Sequence, residues 1–207
     1  MNVLELFAGS RSIGKVAENL EMKVFSSDIT PFKNINYVTN ILDFDVTKVP
    51  FKPDVIWASP PCTSFSVASI GYHWTGGKGA YIPKTDKAKL GIKLVEKTIE
   101  IINYFKPTYW FIENPRGVLR KMEIMKELKR NTVTYCQYND ERMKPTDIWT
   151  NSNVWNPRLM CKNGNKCHIA APRGSRTGTQ GRVNAYERSK IPIELCDEIL
   201  KSCLKNI

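Results

Sequence analysis

The sequence predicts an α/β protein built on a mostly parallel sheet with helices on both faces. Three observations predict it. Short apolar runs end at glycine or proline corners, amphipathic stretches of helical spacing separate them, and 207 residues at 42% hydrophobic content suffice for one substantial core. A single domain over residues 1–207 is expected, with residues 151–182 forming a short, irregular basic segment inside it.

Val3, Leu4, Leu6 and Phe7 form the first apolar run, followed by Ala8-Gly9-Ser10 and then by Ile13, Val16, Ala17 and Leu20 at helical spacing. This pattern is strand, glycine turn, helix. Such a turn lets a ligand approach the backbone, and the helix after it offers free N–H groups. Residues 22–26 supply a second strand, and Asp28 falls just past its end, where a carboxylate either accepts both hydroxyls of a ribose or caps a turn. Residues 34–38 suggest a short third strand, and Asn40 or Asp43 in the polar loop after it can reach an adenine amino group.

Residues 54–58 are apolar and stop at Ser59-Pro60-Pro61-Cys62-Thr63-Ser64-Phe65-Ser66. Tandem prolines fix two φ angles and remove two donors, so Cys62 stands on a stiff loop at the carboxyl edge of the sheet. Open α/β sheets bind ligands at that edge, and a thiol held there is placed to react. A lone cysteine is more often a small buried hydrophobe; its neighbours argue otherwise here. Residues 70–89, rich in glycine, lysine and aromatics, fit no packed element and read as a mobile lid or a surface loop. His73 has no second histidine at ligand spacing.

Leu90, Leu94, Val95, Ile101, Ile102 and Phe105 mark one face of a long helix that Lys106-Pro107 ends. Residues 108–112 form an aromatic strand that stops at Glu113-Asn114-Pro115-Arg116-Gly117, which puts Glu113 on the same sheet edge as Cys62. Leu119, Met122, Met125 and Leu128 make another helix face. Residues 132–137 and 147–150 read as two strands around the charged connector 139–144, and a last amphipathic helix follows Pro192.

A formal charge of +11 implies an anionic partner, most simply nucleic acid. Six cysteines without an N-terminal signal sequence indicate thiols of a reducing, intracellular compartment, cytoplasmic or nucleoid-associated. No apolar run approaches the roughly twenty residues that span a bilayer, so no membrane partner is expected. Arg158, Arg173, Arg176, Thr177, Thr179, Gln180 and Arg182 suit DNA phosphates and a short site, or else form a solvated basic loop. Cys161, Cys167 and His168 are zinc-type ligands without an identified fourth member.

Taken in order, Leu6-Phe7-Ala8-Gly9, Asp28, Pro60-Pro61-Cys62 with Ser66, Phe111-Ile112-Glu113-Asn114 and Asp140-Glu141-Arg142-Met143-Lys144 resemble the DNA cytosine C5 methyltransferase family. The resemblance spans most of the chain. It implies a Rossmann-like, class I S-adenosylmethionine (SAM) domain with a mixed seven-stranded sheet. It also implies that Phe7, Ala8, Gly9, Asp28, Asn40, Asp43 and Pro60 bind SAM, with Asn40 standing where the family has an aspartate. By the same resemblance, Cys62 is the nucleophile that adds to C6 of the base, Glu113 the acid at N3, and Arg142 the cation at the base carbonyl. Ser66, Asn114, Lys144, Arg176 and Arg182 are then substrate contacts, and Pro115 departs from the family's small apolar residue. Residues 184–195 resemble its closing segment, which returns to the cofactor. Residues 151–180 are far too few for its usual target-recognition domain, which leaves room for a specificity partner or a homodimer.

The chemistry requires these residue types. C5 of cytosine is a weak nucleophile until a soft thiolate adds at C6, and the negative charge that addition places on N3 and O2 requires an acid and a cation there. A stacked duplex hides these atoms, so the base must be flipped or single-stranded. Two alternatives stay open: methylation of cytosine in RNA, and a non-catalytic nucleic-acid-binding relative, against which the retained thiol argues.

Overall fold

The computed structural model describes residues 1–77, 80–162, 164–169 and 184–205. β1 (Asn2–Leu6), α1 (Ser12–Asn19), β2 (Lys23–Asp28) and β3 (Tyr37–Val38) begin the chain, and β4 (Val55–Ala58) follows after two short 3₁₀ turns. α2 (Ile70–His73), β5 (Trp74–Gly77), β6 (Ala80–Pro83) and α3 (Asp86–Phe105) lead to β7 (Tyr109–Pro115). α4 (Glu123–Lys126), β8 (Arg130–Thr134), β9 (Pro145–Thr150), α5 (Ala185–Ser189) and α6 (Ile193–Leu204) complete it. The main sheet has seven strands in the order β3-β2-β1-β4-β7-β9-β8. β3, β2, β1, β4 and β7 pair parallel, whereas β9 lies antiparallel between β7 and β8. This is the mixed, mostly parallel sheet expected.

Alternation along each strand sorts side chains into two cores. Val3, Val55, Trp57 and Phe111 face α1 and α6, whereas Leu4, Leu6, Ile56, Ala58 and Ile112 face α3 and the 3₁₀ turns. Register fixes the ligand edge: Leu6 pairs with Ser27 and Ala58, and Ala58 with Ile112. The residues just beyond these positions, Phe7, Asp28, Ser59 and Glu113, therefore lie along one edge.

Three local expectations change. Residues 70–83 contain a one-turn helix and an antiparallel hairpin, β5 with β6, because Trp74 buries its ring against Phe65 at 5.7 Å and donates Nε1–H to the Ser64 carbonyl at 2.6 Å. His73 is buried and bonds Thr85 Oγ1 through Nδ1 at 2.7 Å, which is a structural role. α3 turns its face by one position: Leu90 is exposed, and Ala88, Gly91, Val95 and Thr98 are buried. The small Gly91 permits this, since a Cβ there would stand 2.8 Å from Ser64 Oγ and 3.1 Å from the Phe65 ring. Finally, Leu119–Lys121 and α4 are single turns in place of one helix.

Candidate active site

The cofactor end of the edge is shaped by backbone. Phe7 and Gly9 both take positive φ, 54° and 49°, so the chain folds back sharply after β1. Asp28 bridges this turn to the end of β2, accepting from the Gly9 amide at 2.9 Å and from the Thr30 amide at 2.8 Å. Each carboxylate oxygen keeps a second lone pair, and Asp28 is half-buried, so two hydroxyls can still be received. Ile29 beside it is 67% exposed, an apolar face next to a carboxylate. The sequence reading missed Ile29, and only its exposure reveals it.

The amides of α1, expected to be free, are occupied. Glu5 on β1 accepts from Ile13 and Gly14 at 3.1 Å each and from Ser26 Oγ at 2.9 Å. Burial pushes the Glu5 carboxyl up to about 7 against these bonds and the nearby Arg11 cation. Anion binding at this helix start is thus performed by the protein's own carboxylate. Asn40 accepts from the Leu42 amide at 3.1 Å, which leaves its NH₂ as the unengaged group, a donor and not an acceptor. Asp43 is exposed in the turn that follows and retains its acceptor oxygens for an amino group.

The substrate end is built by pinning two loops together. Phe65 and Ser66 amides both donate to the Cys62 carbonyl at 3.0 Å, which closes a tight turn immediately after the thiol. Ser66 bridges to Gly117, and the Val118 amide donates to the Phe65 carbonyl at 2.7 Å. A Cβ on Gly117 would fall 2.0 Å from that carbonyl oxygen, so glycine is required. Asn114, fully buried, donates Nδ2–H to the carbonyl of Pro60 at 2.8 Å and thereby ties the Cys62 loop to the Glu113 strand. Its Oδ1 is buried without a partner among the described residues. Ser66 Oγ lies 3.1 Å from Ser69 Oγ, so that hydroxyl serves the loop itself.

Charges converge behind this junction. Burial pushes the Cys62 thiol above its ordinary value of 9.0, the Glu113 carboxylate pushes it further, and Lys144 and Arg188 oppose both. Burial pulls Lys144 below its ordinary range, with Glu113 and Cys62 opposing. The Lys144 ammonium lies 4.6 Å from the Tyr135 ring centre and donates to the Arg188 carbonyl at 3.0 Å. Its backbone sits at φ 27°, a strained value that marks a constrained position. Tyr135, fully buried, donates its hydroxyl to Glu113 Oε1 at 3.0 Å. Desolvation and the adjacent Glu113 hold that phenol well above its ordinary range, so it stays a donor.

Arg142 does not aim at this junction. Its guanidinium is 1% exposed, pairs with Asp140, and donates to the carbonyls of Arg188 at 3.2 Å and Lys190 at 3.1 Å. The expectation of a base-contacting Arg142 is corrected on that account: its donors are taken by the protein, and its role is to hold residues 187–190. Lys144, two residues on, is the cation whose field reaches Cys62 and Glu113. The held segment returns to the cofactor end, where the Ile191 amide donates to Ser12 Oγ at 3.1 Å and Tyr186 packs on Phe32 at 5.4 Å. Arg173, Arg176, Thr177, Thr179, Gln180 and Arg182 lie outside the described residues.

The sequence profile of C-5 cytosine-specific DNA methylases matches residues 1–139. The chain belongs to the C-5 cytosine-specific DNA methylase family. The "Probable DNA (cytosine-5)-methyltransferase" of Frog virus 3 (isolate Goorha) is 29% identical over 219 residues, covering 98% of this chain and all of that protein. Among solved structures, a "putative DNA modification methyltransferase encoded within" an E. coli prophage aligns with TM-score 0.53 at 12% identity. That alignment covers 78% of this chain, which spans about half (52%) of the solved one, and it shows the fold alone. A Spodoptera frugiperda DNMT2 mutant aligns at TM-score 0.47 and 18% identity over 76% of this chain and 55% of that chain.

As a cytosine-5 methylase, the chain is an enzyme with a Rossmann-like sheet. Arg188 and Tyr135, which the sequence reading missed as site residues, both surround the Cys62–Glu113 junction. Tyr135 sits inside an apolar run where no motif singles it out, and Arg188 reaches the thiol only through the return of residues 184–192. No helix among the described residues is long and apolar enough to cross a membrane.

Proposed function

We propose that this methylase transfers a methyl group to C5 of cytosine in DNA, with Cys62 adding covalently to C6 of a flipped base. The observation that carries the reading is the junction of the Cys62 loop and the Glu113 strand through Asn114 and Gly117, with Lys144 and Arg188 setting the field at the thiol. S-adenosylmethionine is the group the cofactor end suits, through Asp28 for the ribose and Ile29 and Asp43 for the adenine. When bound, it supplies an electrophilic methyl group.

The residues then act in sequence. Cys62 loses its proton to solvent and its sulfur forms a bond to C6, while the C5–C6 π electrons move into the ring toward N3 and O2. Glu113, oriented by the Tyr135 hydroxyl and protonated from solvent as the base enters, donates that proton to N3 and takes it back when the ring is restored, and the Lys144 ammonium neutralises O2. The electron-rich C5 is the position to which a bound SAM would supply its methyl group, leaving a neutral thioether. The C5 proton leaves to solvent, the C5–C6 double bond re-forms, and the C6–S bond breaks to return Cys62 as thiolate. Residues 151–182 take the place of a target-recognition domain, and the +11 charge supports a polyanionic substrate.

The test is to offer methyl-labelled SAM with duplex DNA, single-stranded DNA and tRNA, and to map the modified base. Label on C5 of cytosine in DNA is expected. Label on tRNA cytosine replaces DNA by RNA, and label on adenine or on protein removes the reading.

A further inference from the structure

Three of the cysteines that the reaction does not use converge on a site of their own. Cys136, in the 3₁₀ turn Tyr135–Tyr138 after β8, stands beside Cys161, Cys167 and His168 from the segment that follows β9. The three sulfurs and one imidazole nitrogen lie within 4.8 Å of one another. Sγ of Cys167 is 3.3 Å from Sγ of Cys161 and 3.6 Å from Sγ of Cys136, and His168 Nδ1 is 3.4 Å and 3.7 Å from the Cys161 and Cys167 sulfurs. The sulfur separations exceed a disulfide bond of about 2.0 Å. They resemble the edges of a tetrahedron about zinc, roughly 3.8 Å between sulfurs and 3.5 Å between sulfur and nitrogen when Zn–S is about 2.3 Å and Zn–N about 2.0 Å.

We propose that Cys136, Cys161, Cys167 and His168 bind one structural zinc ion that fastens residues 158–169 to the turn after β8. The donor set is soft, closed at four, and mixes thiolate with imidazole, which selects zinc over magnesium or calcium. Binding displaces three thiol protons to solvent, and His168 ligates through Nδ1 with its proton on Nε2. Gln137 supplies an outer donor: its Nε2–H lies 3.5 Å from the Cys167 sulfur. Sequence alone hides the fourth ligand, because Cys136 is 25 residues before Cys161 and belongs to a different element.

The surroundings show what the ion does. The Cys161 amide donates to Thr134 Oγ1 at 2.9 Å, the Ile169 amide to the Glu141 carbonyl at 2.9 Å, and Arg158 to the Gln137 carbonyl at 2.6 Å. Each bond ties the segment to residues 134–141, the stretch that also carries Tyr135, the partner of Glu113. The ion closes this strap with four bonds where the chain otherwise offers single hydrogen bonds. It holds residues 164–169 against the turn after β8, without taking part in methyl transfer.

The test uses the full chain, carried on a tag without histidine, expressed with zinc and measured by inductively coupled plasma mass spectrometry. About one zinc per chain is expected. Cys136→Ser is expected to lose it, His168→Cys to retain it as a four-thiolate site, and Cys62→Ser to leave it unchanged. Cobalt exchanged into the wild type is expected to give the visible bands of tetrahedral thiolate ligation, a readout independent of any variant's folding. Chelation is expected to raise amide exchange at residues 134–138 and 158–169 and to leave α3 unaffected. A wild-type chain that folds without metal, a disulfide between Cys161 and Cys167, or full zinc content in Cys136→Ser overturns the assignment. Metal content is read without substrate, so its outcome is separate from that of the methyl-transfer reading.

Discussion

The two ends of the ligand edge are held by different forces. At the cofactor end, bends in the backbone are fixed by carboxylates from nearby strands: Glu5 reaches Ser26, and Asp28 reaches Gly9, over 21 and 19 residues. At the substrate end, side chains and carbonyls meet across 44 to 54 residues, as in Lys144 with Arg188 and Asn114 with Pro60. The first end is shaped chiefly by these shorter-range bonds, which leave acceptor capacity on Asp28 and Asp43. The second is a long-range assembly whose charges act on one another, so its geometry and its reactivity are coupled. Damage to the first should read out as stability and damage to the second as rate.

Gly117→Ala should break the second end most severely. The added Cβ meets a backbone oxygen at 2.0 Å, so the Cys62 loop must move. A displacement of about 1 Å costs on the order of 10²-fold in rate, which single-turnover methylation would measure. Gly71→Ala, with open space around its Cβ, should leave the rate unchanged. Equal rates in both variants would show that the two loops need no pinning.

Charge should sharpen the comparison next. Cys62 titrates above its ordinary 9.0, raised by burial and Glu113 and lowered by Lys144 and Arg188. Lys144→Met therefore moves the midpoint of Cys62 alkylation by iodoacetamide upward in pH, and Glu113→Gln moves it downward. Shifts of the same sign would contradict the arrangement. Arg142→Met, by contrast, should release residues 187–190 and lower the melting temperature with little change in that midpoint.

The smallest effect on rate belongs to Glu5. Its folded value near 7 lies above the ordinary 4.5, so the folded state binds the extra proton between those values. The Glu5 contribution to stability is then fully present below pH 4.5 and is lost as pH rises through 7, on the order of 3 kcal/mol in all. Glu5→Gln should flatten that dependence in urea titrations at pH 5 and 8 while SAM-site geometry persists. An unchanged slope would show that Glu5 is not the group that titrates.

The same division explains what was legible in the sequence. β1, its turn and Asp28 could be read because contiguous apolar runs ending in glycine or polar corners dictate them. Cys62 and Glu113 could be placed on one edge because Cys62 lies shortly after the end of β4 and Glu113 near the end of the neighbouring parallel strand β7. The role of Arg142 was misjudged because its partners, the carbonyls at 187–190, arrive from the far end of the chain. Tyr135, Arg188 and Cys136 were missed for the same physical reason, since their significance lies in neighbours distant in sequence. The hairpin of β5 and β6 was hidden by glycine and lysine content, and the burial of Trp74 against Phe65 outweighs that composition.

The covalent role of Cys62 can be trapped. DNA carrying 5-fluorocytosine allows addition at C6 and methylation at C5, but fluorine cannot leave as the proton does, so the C6–S bond has no route to break. With SAM present, a complex stable to denaturing electrophoresis is predicted, its cross-link mapping to Cys62 and absent in Cys62→Ser. Methylation of ordinary cytosine with no such complex, or a cross-link through another residue, would contradict the account.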